Sequence, residues 1–376
     1  MPTSVKRLLL GRRLRTEQAA EERLPKFLAL PIFASDALSS VAYGTGEIMA
    51  ALLVAGTAHF HLTLPIAIGI VVLLAIVATS YRQTVLAYPG GGGAYIVARD
   101  NLGIVSAQVA GAALLIDYIL TVAVSVSSGV AAVKSLVWTQ YHIMIPIVAV
   151  AVCAVIVVAL INLRGVKESG AIFAAPTYVF IAIVTTVIAV GLWKYFNSSI
   201  PLAFSGDAFR NAVPDTENAV SHPHLQTLGW FLILHAFASG CAALTGVEAI
   251  SNGVTAFKQP AARNAAITMI WMAAILGVFF VGLSWLAVQV QALPDTAEGV
   301  HETVVSQIGR MVMGAGQSPV GTIVYYLLQV FTALILILAA NTSFAGFPRL
   351  AAIIARDGFL PRQLSNLGDR LVYDRG

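Results

Sequence analysis

Apolar residues in this chain fall in long blocks rather than in alternating or one-sided patterns. Runs of roughly 20 or more mostly apolar residues, the length a helix needs to cross a bilayer, lie near 27–55, 63–87, 104–133, 144–163, 170–196, 228–257, 264–291 and 319–347. The pattern predicts eight membrane spans. Two of the runs, 27–55 and 228–257, are too long for one straight crossing and carry polar residues at their centres. A polar loop at 197–227, holding Pro201, Pro214 and Pro223, separates a block of five spans from a block of three. The chain thus divides into an N-terminal segment (1–26), a first block (27–196), the external loop (197–227), a second block (228–347) and a charged segment (348–376).

Composition strengthens this reading. Of 376 residues, 58% are hydrophobic with Gly left out, only 11% are charged, and Gly adds 31 more. Soluble domains run near ~45–50% apolar and ~25% charged, so lipid must take the place of water around most of this surface. The net charge of +4 points to orientation rather than to nucleic acid, because basic residues collect on the cytoplasmic side of membrane proteins. With the N-terminus inside and alternating loops, 18 of the 22 Lys and Arg fall on the cytoplasmic side. The exceptions are Lys134, Lys194, Arg210 and Arg310. Both ends of the chain are therefore expected in the cytoplasm, with no cleavable signal, in the plasma or inner membrane. Cys153 and Cys241 sit in apolar runs and read as packing residues.

The two overlong runs occupy matching places, each opening its block. The first centres on Ser35-Asp36-Ala37-Leu38-Ser39-Ser40; the sixth holds Ser239-Gly240 and Thr245-Gly246 followed by Glu248. Interrupted helices in corresponding positions are the best sequence pointer to a transporter site at a repeat interface, where unwound backbone can coordinate an ion. Kinked helices whose Ser and Thr bond back to their own carbonyls would leave the carboxylates unexplained.

Four acids lie within spans: Asp36, Glu47, Asp117 and Glu248. Each costs about 2.5–3.5 kcal/mol at a helix centre on insertion scales. Glu47, about 16 Å beyond Asp36 along a helix, is expected at the external interface. Asp36, Asp117 and Glu248 have no such escape and no base at matching depth, so a cation or a proton must neutralise them. In span three, Asp117, Thr121 and Ser125 recur at i, i+4 and i+8 beside Tyr118, making one polar stripe. Oxygen ligands of this kind suit hard cations.

Several other motifs carry little. Pro89-Gly90-Gly91-Gly92-Gly93-Ala94-Tyr95 lacks the Lys-Ser/Thr of a phosphate loop and is expected as a cytoplasmic loop, packed closely on the bundle. His222 and His224 read as solvated loop residues, and His235 stays unassigned. No catalytic triad or nucleotide-binding helix is present, no cofactor is implied and no resident metal is expected, which argues against an enzyme.

The loop PGGGGAYIVARD resembles the Pro…Gly-Gly-x-Tyr signature of the amino acid–polyamine–organocation superfamily, and ARDGFLPRQL is similar to a later cytoplasmic segment of it. SDALSSVAYGTGEI, LLIDYILTVAVSVSSG, ALTGVEAISNGVTAF and PAARNAA together resemble the KimA-type potassium–proton symporters, relatives of the KUP transporters. The resemblance covers nearly all of the chain. It implies an all-α, LeuT-type inverted-repeat fold with broken helices one and six, and potassium import driven by protons. It places potassium-coordinating groups on Asp36, Tyr43, Asp117, Tyr118, Thr121, Ser125, Thr245 and Glu248. Asp36, Asp117 and Glu248 are the candidates for the coupling proton. Members of the family continue through further spans into a cytoplasmic domain through which they form homodimers, and which belongs to their control by cyclic di-AMP. The chain is therefore expected to be a piece truncated after helix eight, with an incomplete second repeat.

The alternative on the same scaffold is a proton-coupled amino acid or polyamine permease. Asp36 would repel a substrate carboxylate at short range, whereas a carboxylate-free amine remains compatible. A channel or receptor would need a filter repeat or an output domain.

Overall fold

The computed structural model describes residues 23–163, 170–197, 200–204, 206–214 and 227–365. The first apolar run forms α1 (Lys26–Ser39), a tight 3-10 turn at Ser40–Ala42, and α2 (Gly44–Leu53). Helix α3 (Thr63–Ala87) follows, then short α4 (Gly93–Leu102), long α5 (Ile104–Tyr141), α6 (Ile147–Leu163) and α7 (Gly170–Asn197). One turn, α8 (Asp207–Arg210), interrupts the following loop. The second broken span is α9 (Trp230–Gly240), a 3-10 turn at Cys241–Leu244, and α10 (Ala249–Asn252). Helices α11 (Ala261–Gln289), α12 (Val304–Met313) and α13 (Pro319–Arg356) complete the described chain.

Seven of these segments are long and apolar enough to cross a membrane, and the protein is a multi-pass membrane protein. The expected fourth span is the exception. Helix α6 has 17 described residues, about 25 Å of helix and already the lower limit for a crossing, and it runs up to residues outside the described set. Spans three and eight, by contrast, outrun their apolar stretches. Helices α5 and α13 have 38 residues each, about 57 Å, so they project well past a hydrocarbon core ~30 Å thick. Helix α5 continues to Tyr141 and carries Lys134 within it; α13 runs through Pro348 to Arg356. Hydropathy ends a span where apolar residues stop, but a helix needs only its own hydrogen bonds to go on.

Packing follows the order of the repeats. Helix α13 lies along α5, α3 along α11, and α9 against α2. The two broken spans, the α3/α11 pair and the two 38-residue helices hold corresponding places in the two blocks, as an inverted-repeat architecture requires. The core is centred on α1, α2, α3 and α11, with Leu38, Ile48, Met49, Phe280 and Leu283 buried. Facing lipid, α3, α5 and α6 expose Ile76, Ile119, Val148 and Ile156.

The two ends of the bundle differ. One is basic: Leu24 pairs with the segment after α10 through Leu24 N–H to Ala256 O (2.8 Å) and Lys258 N–H to Leu24 O (2.9 Å). There Arg99 and Tyr95 of α4 also hold Asp357 beyond α13. At the opposite end, Thr57 donates to Phe209 O (3.0 Å) and Ala203 N–H to Val290 O (2.7 Å). Amphipathic α12 crosses that end, capped by Thr303 and sealed by Val304, Ile308 and Val312. The expected external loop lies partly outside the described residues, His222 and His224 with it.

Candidate functional site

Both broken spans unwind at the same place and touch there. The Ser40 hydroxyl donates to Ala243 O (2.9 Å) across the two 3-10 turns, and Tyr43 Oη lies 3.3 Å from Thr245 Oγ1 and 3.4 Å from Ala242 O. Sequence explains the breaks: Ser39 and Ser40 bond back to Asp36 O (2.7 Å) and Ala37 O (2.6 Å), competing with the helix ladder. In the sixth span Thr245 has an extended backbone and Gly246 a φ of +79°, which only glycine adopts without strain. The hydroxyl-to-carbonyl bonding of an ordinary kink is thus present, and it leaves the carboxylates unaccounted for.

Gly246 brings the two breaks into register. A Cβ there would stand 2.6 Å from Asp36 Cγ and 2.7 Å from its Oδ2. Asp36 is 2% and Glu248 7% exposed. Asp36 Oδ1, Glu248 Oε1 and Ser125 Oγ are buried without a hydrogen-bond partner among the described residues. The charges that act on Asp36 are those of Glu248 and Asp117, and Asp117 acts on Glu248 in turn. Three carboxylates therefore share one interior region, a costly arrangement unless positive charge enters it.

Span three lines the other side. Tyr118, Thr121 and Ser125 are buried and Asp117 is half-buried on α5. The Tyr118 hydroxyl accepts from Asn252 Nδ2 (2.9 Å), and Tyr118 feels the charges of Glu248, Asp36 and Asp117. Asp36, Tyr43, Asp117, Tyr118, Thr245 and Glu248 thus converge. Thr121 and Ser125 continue the stripe along α5 without a described polar contact to the others. Beneath Tyr118 a cleft of about 30 Å³, room for about one water, runs between Phe33, Asn252, Thr342, Gly346 and Arg349 toward the basic end.

Three participants escape sequence reasoning. Tyr81 of α3 lies within the field of Glu248 and Asp117. Asn252 grips Tyr118. Thr332 of α13 is buried with an unpartnered hydroxyl, one turn before Leu336, which packs on Tyr43. The polar break in the apolar run of span eight is a signal for Thr332; Tyr81 sits near a span end, where tyrosine is ordinary. Glu47 is exposed and lies in the field of Asp295, and its own charge acts on Tyr43 at the rim of the site. Burial pushes the Asp295 carboxyl up, and the Lys134 ammonium on α5 pulls it back.

A family model described as amino acid permease matches residues 32–371. The chain is 44% identical over 377 aligned positions to the potassium transporter KimA of Bacillus subtilis (strain 168), an alignment that covers 99% of this chain and 57% of that protein. The chain spans little more than half of its relative's length.

Proposed function

The chain belongs to the amino acid permease family, and we propose that it carries potassium ions across the membrane, coupled to protons, by alternating access. The observation that carries this reading is the set of buried oxygens at the paired helix breaks, where the charges of Asp36 and Glu248, with Asp117 on α5, act on one another. Carboxylate, phenol, hydroxyl and carbonyl oxygens are ligands for a hard cation, and the kinship with a potassium transporter supports potassium. Asp36, Tyr43, Asp117, Tyr118, Thr121, Ser125, Thr245 and Glu248 supply the ligands. A proton taken by Asp36, Asp117 or Glu248 removes one negative charge and so weakens the hold on the ion.

The N-terminal segment and the charged segment after α13 lie on the cytoplasmic side of a cell membrane, and the basic end of the bundle faces inward. Potassium enters from the opposite end, reaches the breaks, and leaves with the proton past Tyr118. The paired helices α1/α2, α3, α9/α10 and α11 rock against α5 and α13, which are long enough to serve as the frame. A homodimer formed through a cytoplasmic domain outside this chain belongs to the same reading.

The test is growth of a potassium-uptake-deficient bacterium on micromolar potassium, with the gene carried through to its natural stop codon. Rescue by the native gene, and none by an equally expressed Asp36→Asn variant, is the expected result. Rescue by both would remove Asp36 from the ligand set. The family model's own description favours a second reading, an amine carried on the same carboxylates. Failure of the expressed native gene to rescue, with uptake of a labelled diamine, would replace the first reading by it.

A further inference from the structure

Four consecutive glycines lead into α4, the fourth, Gly93, being its first residue, and the cation site does not account for them. Their surroundings differ. A Cβ at Gly90 would meet nothing within 4 Å, and one at Gly92 would collide only with Ile96 of its own helix. At Gly91 a Cβ would stand 3.0 Å from the backbone oxygen of Asn252, and at Gly93 it would overlap Asn252 Oδ1. Two of the four glycines therefore press on one residue, the last of α10 and one turn beyond Glu248.

Asn252 in turn holds Tyr118. Its Nδ2 donates to the phenol oxygen at 2.9 Å, while its Oδ1 is buried without a partner. On the other side Gly346 lies so close that a Cβ would come 2.9 Å from Tyr118 Cζ and 3.2 Å from its Oη. The phenol is fixed from two sides. With one lone pair engaged by the amide, the oxygen keeps one lone pair for a cation and one proton to donate. A buried amide oxygen without a partner is costly; its retention fits an amide whose other end is needed at Tyr118.

We propose that Asn252 is the positioning residue for Tyr118 and that the glycine loop is its backstop, so that the loop joining spans two and three sets the reach of the phenol oxygen into the cation site. The inference rests on the potassium reading above. It makes Asn252 act on ion affinity through Tyr118 alone, and it makes a Cβ at Gly93 act through the Asn252 side chain, beyond the strain that a φ of +48° puts on any other residue.

The test uses the full-length transporter in liposomes, with KM and Vmax for potassium uptake. Asn252→Ala raises KM about three- to tenfold, the range of one lost neutral hydrogen bond, with Vmax little changed. Tyr118→Phe raises KM as well, and the double variant is no worse than the poorer single one. Gly93→Ala raises KM in the native background and much less in Asn252→Ala, whereas Gly103→Ala, just past the end of α4 with a φ of +89° and nothing within 4 Å of its Cβ, carries backbone strain alone and keeps the native KM. An unchanged KM in Asn252→Ala, or multiplied losses in the double variant, overturns the proposal. Should Asn252→Ala not accumulate, Gly93→Ala decides alone, and an unchanged KM there overturns the proposal equally. An inert Tyr118→Phe would instead count against the potassium site itself.

Discussion

At the scale of single residues, depth in the membrane separates function from packing. The Ser39 and Ser40 hydroxyls spend themselves on carbonyls one turn back, as serines in apolar helices do; Asp36 and Glu248 have no such outlet, and their unpartnered oxygens mark the site. Gly246 is as tightly specified as either acid. Gly246→Ala would drive a methyl group to 2.6 Å from Asp36 Cγ at a φ of +79°. It is expected to abolish potassium uptake and to destabilise the protein by about 1–3 kcal/mol, the usual cost of such backbone strain. Gly46→Ala is the control, since a Cβ there meets only Val304 at an ordinary 3.8 Å. Uptake and thermal unfolding of the two variants check this; equal behaviour would dissociate the helix breaks from the site. The acids and the span-three stripe are legible in the sequence because a carboxylate in lipid demands a reason. Tyr81 and Asn252 are not, because each is an unremarkable residue until folding brings it beside Glu248 or Tyr118.

At the scale of elements, helix α4 shows how a short helix with little apolar surface of its own is fastened. It follows the glycine loop and is docked by one fully buried ring, Tyr95, whose hydroxyl donates to Asp357 Oδ2 (2.8 Å) while Arg99 Nη1 reaches the same oxygen (2.9 Å). Burial and the neighbouring carboxylate push the Tyr95 phenol up to about 12. A raised acid keeps its full contribution below its unfolded value and loses it as pH climbs from about 10 to about 12, so the docking is insensitive to pH in the physiological range. Asp357→Asn, which leaves Arg99 its bond to Asp100, is expected to speed amide exchange across residues 93–102 by about two- to fivefold, the size of a partly exposed ion pair. Hydrogen-exchange mass spectrometry at pH 7 measures it, and unchanged exchange would mean that the buried ring alone holds the helix. Sequence foretells that this glycine loop packs closely on the bundle. It does not foretell the partner, since Asp357 lies more than 250 residues away and only the return of α13 to the basic end brings it near.

At the scale of the whole molecule, the apolar runs reveal the spans and hide their true lengths. Helices α5 and α13 continue past their apolar stretches, because hydropathy reports what lipid tolerates while helix length follows backbone bonding and neighbours. The asymmetry of charge survives this revision. Lys258 and Arg263 stand at the end where Leu24 and the α4 latch meet, and Asp207 stands at the other, beside the segment that Thr57 bonds. Basic residues are retained in the cytoplasm during insertion, so the molecule should sit with the cleft below Tyr118 facing inward. In a Cys153→Ala/Cys241→Ala background, a membrane-impermeant maleimide is expected to label Asp207→Cys in intact cells and Arg263→Cys only after permeabilisation, both positions being exposed. The reverse pattern would turn the molecule over. Potassium would then enter past Tyr118 and Asn252, and the glycine loop would guard the entrance of the path rather than its exit.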